Sequence, residues 1–164
     1  MMAGICLKRS CKGHLCLRLH LNLHFCSAAL NSHNNSINVL MDQLFQAIRQ
    51  GNLAQIKTLL VANPHWINGQ DSRGFTPLIM ATYTGNADIA RYLLEQGADV
   101  NGRDAAGNTP LIGVAFKGDQ AMAALLLERG ADLQSKNKQG ATALSYATEY
   151  KHEGLAQFLK EAGA

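Results

Sequence analysis

Four cysteines, Cys6, Cys11, Cys16 and Cys26, lie in the first 40 residues with His14, His20, His24 and His33. Thiolate and imidazole are the ligands zinc prefers, and Cys11-Lys-Gly-His14-Leu-Cys16 together with Cys26 supplies enough of them for one ion. The spacing argues against such a site. No Cys-x-x-Cys pair occurs, and Leu15, Leu17, Leu19, Leu21 and Leu23 alternate with the would-be ligands at a period of two, a strand-like, aggregation-prone pattern. A second chemistry is suggested by Gly97-Ala-Asp-Val-Asn-Gly102-Arg103-Asp104, which has the glycine spacing of a phosphate-cradling loop. There, Arg103 stands where the lysine belongs and Asp104 where the magnesium-binding hydroxyl belongs, so no nucleotide site is expected. No Gly-x-Ser-x-Gly elbow and no His-Glu-x-x-His helix is present. Beyond the first 40 residues the histidines are His65 and His152, which read as surface or loop residues. Asp99 and Asp132 recur at matching positions, which fits the capping of turns better than acid–base pairing. The expectation is a protein that is not an enzyme and carries no metal and no other cofactor.

The elements around these residues repeat. Gly74, Gly107 and Gly140 are spaced by about 33, and so are Thr76, Thr109 and Thr142, and Gly97, Gly130 and Gly163. A degenerate unit precedes them, in which Gly51, Asn52 and Leu59-Leu60 match Gly85, Asn86 and Leu93-Leu94, with one extra residue assigned to a loop from Asn63 to Asn68. Within a unit, Thr76 can cap a helix, Pro77 suits its first position, and Gly85 ends it. A second helix from about Ala87 carries Ile89, Ala90, Leu93 and Leu94 and closes at Gly97. Helices of about 8–10 residues are too short to stand alone, so neighbouring units must cover their apolar faces. Leu93, Leu94, Leu125, Leu126 and Leu159 are the predicted core.

These residues resemble the ankyrin repeat. Thr76-Pro-Leu-Ile-Met-Ala81, Gly85, Leu93-Leu94 and Gly97-Ala-Asp-Val-Asn101 carry the resemblance most fully, and it covers about residues 41–164. It implies an all-α ankyrin-repeat solenoid of stacked helix-turn-helix units with projecting turns, in units of about 41–70, 71–103, 104–136 and 137–164. The compact repeat style is similar to that of bacterial ankyrin-repeat proteins. There are departures. Ile79, Ile112 and Ser145 replace the motif histidine, Gly113 sits inside a helix, Ala143 replaces the proline, and Lys151 stands where Gly85 and Gly118 stood.

Charge divides the chain at the same boundary. Of 15 basic residues, Lys8, Arg9, Lys12 and Arg18 fall in the acid-free first 40, which leaves 11 against 12 acidic residues in the repeats. That balance argues against nucleic acid as the partner. No run of 18 apolar residues could span a membrane. Residues 1–40 read as a disordered or targeting segment, or as sequence ahead of a true start at Met41. The expected location is cytoplasmic, or periplasmic or secreted if that segment acts as a signal.

The resemblance also implies a binding face, built from the turn tips and the ends of the first helices. On this sequence the face comprises Arg49, Arg73, Phe75, Tyr83, Thr84, Asn108, Phe116, Lys117, Gln139 and Tyr150. Aromatics and arginine most often dominate binding energy. The function expected is that of a monomeric protein–protein interaction module with an unidentified protein partner. The alternatives are a regulatory or inhibitory subunit of an enzyme or secretion system, or a metal-responsive protein acting through residues 1–40.

Overall fold

The structure, a computed structural model, describes residues 39–163. The expectations placed on residues 1–38, including the cysteine and histidine ligands, lie outside the described residues.

Three threonines start three of the helices. The Thr76, Thr109 and Thr142 hydroxyls accept hydrogen bonds from the backbone N–H of Ile79 (3.3 Å), Ile112 (3.4 Å) and Ser145 (3.3 Å). Each bond satisfies an otherwise orphaned helix donor. The described residues hold eight α-helices: α1 over residues 39–50, α2 Leu53–Ala62, α3 Pro77–Thr84, α4 Ala87–Glu95, α5 Pro110–Lys117, α6 Gln120–Glu128, α7 Ala143–Glu149 and α8 Glu153–Glu161. They form four antiparallel pairs. Helix α3 packs on α4 and α5, α5 on α6 and α7, and α7 on α8, so each unit covers the next. Residues 39 and 40, just ahead of Met41, are already helical.

The last unit lacks the proline and compensates with a capping box. The Ser145 hydroxyl accepts from the Thr142 N–H at 2.7 Å while Thr142 caps Ser145 in return. Its turn is strained. Gly85 and Gly118 close α3 and α5 with φ of 78° and 79°, which glycine adopts freely, whereas Lys151 is held at φ 59° after α7.

The segment Asn63–Asn68, read from sequence as a loop, is largely a 3₁₀-helix, Pro64–Asn68, with Trp66 buried in the core. A further correction concerns the leucines. Leu93, Leu126 and Leu159 are sealed, but Leu94 and Leu125 are only partly buried. Successive helical residues diverge by about 100°, so two adjacent leucines cannot both face the centre of one interface.

The turns are fixed by carboxylates and amides. Asp71 Oδ1 accepts from the N–H of Arg73 and Phe75, Asp104 Oδ1 from Ala106 and Asn108, and Asn137 Oδ1 from Gln139 and Ala141. Asp99 and Asp132 cap their own turns in the same manner, through Asn101 N–H and Gln134 N–H, both at 2.9 Å. The Ser135 hydroxyl and the Gln134 N–H, with Arg103 nearby, hold the Asp132 carboxyl below its ordinary range.

A set of side chains reaches from one unit to the next. Gln70 Nε2 donates to the Arg103 carbonyl, and Arg103 Nη1 donates to the Lys136 carbonyl at 2.6 Å, each spanning 33 residues. Asn68 Oδ1 accepts from Asp99 N–H, and Asn101 Oδ1 accepts from Asp132 N–H. Arg103, the residue that gave Gly97–Asp104 its phosphate-loop look, is thus committed to carbonyl oxygens.

Candidate protein-interaction surface

A groove of about 380 Å³ opens along α3, α5 and α7, lined by Phe75, Tyr83, Asn108, Ile112, Phe116, Tyr146 and Tyr150. Its rings come from three successive units. Phe75 and Tyr83 meet edge to face at 5.5 Å, Phe116 and Tyr150 edge to face at 4.6 Å, and Tyr146 stacks parallel to Tyr150 at 5.9 Å. Such pairs are preferred ring geometries and hold one another in place. Phe116 and Tyr150 are nevertheless 43% and 45% exposed, which is unusual for residues of their size.

Gly113 explains how Tyr83 sits. A Cβ at that position would lie 3.4 Å from the Tyr83 ring, so the helix backbone of α5 forms the ring's support. Burial, followed by the nearby Asp104 carboxylate and Tyr146, raises the Tyr83 pKa, which keeps its hydroxyl a donor. A polar string runs along one wall. Asn108 Nδ2 donates to Asp104, Asn137 Nδ2 donates to both Asn108 Oδ1 and the Tyr146 hydroxyl, and that hydroxyl donates to Gln139 Oε1. No protein partner is found for the Tyr83 or Tyr150 hydroxyl among the described residues.

Of the ten residues predicted from sequence, Phe75, Tyr83, Asn108, Phe116 and Tyr150 line this groove. Arg49 and Arg73 line an adjoining hollow around Asp71, at 4.0 and 3.5 Å from its carboxylate. The Arg73 guanidinium, which lines that hollow, lies 5.0 Å from the centroid of the Phe75 ring, which lines the groove. Thr84, Lys117 and Gln139 line neither. Thr84 Oγ1 donates to the Ala81 carbonyl, and Lys117 Nζ donates to the Tyr83 carbonyl at 2.9 Å. Gln139 touches the groove only through the Tyr146 hydroxyl. His152, read as a surface or loop residue, is half-buried, and its Nε2 lies 3.1 Å from the Phe116 carbonyl. The sequence reading missed Tyr146 and Ile112. A signal existed for Tyr146: its repeat position carries Met80 and Gly113 in the preceding units, volumes too different for one core slot.

Stacked helix pairs with projecting turns and a continuous side-chain face define a repeat solenoid, a class built to present an extended surface. The chain belongs to the ankyrin-repeat family: the family described as "Ankyrin repeats (3 copies)" matches residues 13–104, 44–137 and 102–164. The first match begins ahead of residue 41, where the sequence resemblance was drawn. Similar proteins include human "DNA-binding protein RFXANK", 45% identical over 56 residues, which are 34% of this chain and 22% of that protein. Human "Ankyrin repeat domain-containing protein 29" is 43% identical over 61 residues, 37% of this chain and 20% of that protein. Human "Protein phosphatase 1 regulatory subunit 27" is 46% identical over 56 residues, 34% of this chain and 36% of that protein. The matched stretches thus span about a fifth to a third of these relatives. These relatives are animal proteins, so they lend no support to a bacterial resemblance. Among the described residues no helix is long and apolar enough to cross a membrane.

Proposed function

We propose that residues 41–164 act as a protein–protein interaction module whose partner docks in the aromatic groove. The observation that carries this reading is the convergence of Phe75, Tyr83, Phe116, Tyr146 and Tyr150, from three units, on one open groove. A monomeric domain gains little stability from rings left this exposed, whereas a partner would bury them. The groove is preformed by ring pairs and by turns whose carboxylates are already satisfied, so docking costs little ordering. The mechanism is recognition on a rigid surface, with no catalytic step.

A second reading has one observation in its favour. One similar protein is named as a regulatory subunit of protein phosphatase 1, which supports a stable subunit role for this surface over transient scaffolding. A stoichiometric complex that survives size-exclusion chromatography would distinguish it.

The test is capture of a partner from native lysate by the full chain, with Tyr83→Ala/Phe116→Ala as the paired bait. The double variant keeps its helical circular dichroism and loses capture by at least about tenfold, as expected for two anchor residues. Capture undiminished in the folded variant overturns the groove as the docking site. An unfolded variant assigns the rings to the core.

A further inference from the structure

We propose that the partner segment docking in the groove carries a side-chain carboxylate that seats on Arg49 and Arg73, next to the Phe75 ring; this rests on the docking reading above and names the partner's chemistry. The hollow that holds the two arginines keeps its acid inside and its bases outside. The Asp71 side chain is only 6% exposed, whereas those of Arg49 and Arg73 are 49% and 58% exposed. Asp71 Oδ1 is taken by the N–H groups of Arg73 and Phe75, and Oδ2 faces the guanidiniums, at 4.0 Å from Arg49 and 3.5 Å from Arg73. One sealed carboxylate thus anchors two exposed cations, and it is the cations that a partner meets.

Those cations have donors to spare. A guanidinium carries several N–H donors in a planar fork that matches the two oxygens of a carboxylate. Among the described residues, Arg73 makes one side-chain hydrogen bond, from Nη2 to Asp71 Oδ2 at 3.5 Å, and Arg49 makes none. Arg73 is also pinned. Its guanidinium lies against the Asp71 carboxylate and 5.0 Å from the Phe75 centroid, while more than half of the side chain stays exposed. A side chain already held in place loses little freedom on binding, which lowers the cost of recruiting it. Arg49 belongs to α1 and Arg73 to the turn ahead of α3, so the pair spans a unit junction, as the rings of the groove do.

The charges also set the size of the ligand's own charge. Asp42, exposed on α1, is the second acid lining the hollow. It opposes any anion there, and it opposes a doubly charged phosphate more than a singly charged carboxylate. A carboxylate on the two guanidiniums leaves the rest of its segment beside Phe75 and Tyr83, whose edge-to-face rings offer contact to an apolar side chain. The ligand class is a peptide in which Asp or Glu neighbours an aromatic or aliphatic residue.

The test is an NMR titration of the isotopically labelled full chain with blocked Phe-Gly-Glu-Gly, read at the Arg49 and Arg73 Nε–H and the Phe75 ring. Comparator peptides replace Glu by Gln or by phosphoserine. Reading at these signals separates the hollow from any binding to the basic residues Lys8, Arg9, Lys12 and Arg18. The Glu peptide should shift all three signals saturably and bind at least about threefold more tightly than the Gln peptide, the worth of exposed ion pairs. That preference should shrink as salt is raised. Arg73→Gln, checked as folded by circular dichroism, should erase the preference for Glu, and Asp42→Asn should enlarge it. Five results overturn the proposal: no shifts at the arginines, Glu and Gln peptides bound alike, a preference that survives Arg73→Gln, a preference that Asp42→Asn leaves the same or smaller, or tighter binding of the phosphoserine peptide. Failure of the docking reading has a separate signature: partner capture that survives Tyr83→Ala/Phe116→Ala.

Discussion

The two borders of the repeat stack handle polar groups in opposite ways. Along the turns, Gln70, Arg103, Asn68 and Asn101 each hand a side chain to the backbone of the next unit, and the acceptors or donors there are satisfied. Along the groove, rings pack on rings, and the hydroxyls of Tyr83 and Tyr150 have no side-chain or backbone partner among the described residues. A region whose polar groups are spent internally has nothing to offer a partner, and its use is rigidity. A region that exposes apolar faces with leftover donors stabilises the fold little and suits recognition. The turns thus carry rigidity, and the groove carries binding on the function proposed above.

Separating the two assignments gives the predictions. The largest stability effect is expected from Arg103→Ala, which removes a charged donor from the Lys136 and Gly107 carbonyls. The loss should be roughly 1.5–3 kcal/mol by urea unfolding, with partner capture unchanged below the transition. If capture falls with stability in the still-folded variant, the borders are not independent. Lys151→Gly should stabilise by roughly 1 kcal/mol in the same measurement, because glycine adopts the left-handed turn after α7 without strain. A loss of stability would mean that the lysine side chain contributes more than its backbone costs.

Gly113→Ala sharpens the contrast from beneath the groove. The added methyl would meet the Tyr83 ring at 3.4 Å, an ordinary contact, and remove a glycine from a helix interior. It should stabilise by roughly 0.5–1 kcal/mol and leave capture intact. Weaker capture would show that Tyr83 must settle against bare backbone to bind. The smallest effect concerns acid. The Asp132 carboxyl is held below its ordinary range by Ser135, Gln134 and Arg103, so its contribution is present above the unfolded carboxylate pKa. That contribution fades as pH falls through the lowered folded value. An NMR titration should place the Asp132 midpoint below the ordinary carboxylate range, and Ser135→Ala should move it upward. No upward movement in Ser135→Ala would remove Ser135 as the cause.

Most of the fold could be read from the sequence because its determinants are local. Thr76 and Thr109 ahead of proline, with Gly85 and Gly118 behind, mark helix starts and stops within ten residues. The error over Leu94 and Leu125 arose where a choice between adjacent residues depends on helix rotation against a neighbour, which no local signal fixes. The groove was half legible. Phe75, Tyr83, Phe116 and Tyr150 could be placed by repeat register, but Tyr146 stands at a register that carries Met80 and Gly113 in the preceding units, so the repeat pattern alone did not mark it as a groove residue. The reach of Gln70 to Arg103 and of Arg103 to Lys136 was hidden for a related reason: it depends on how one unit superposes on the next.

That reach sets a rule for how such a chain can change length. Each brace ends at the same register position in the following unit, 33 residues on. A single residue inserted between Arg103 and Lys136 would slide donor past acceptor, whereas a whole unit added or removed would hand every brace an equivalent carbonyl. From Gln70 onward the array is therefore a modular part, one that a genome or an engineer lengthens and shortens in complete steps, whereas the Asn63–Asn68 segment ahead of these braces already holds one extra residue.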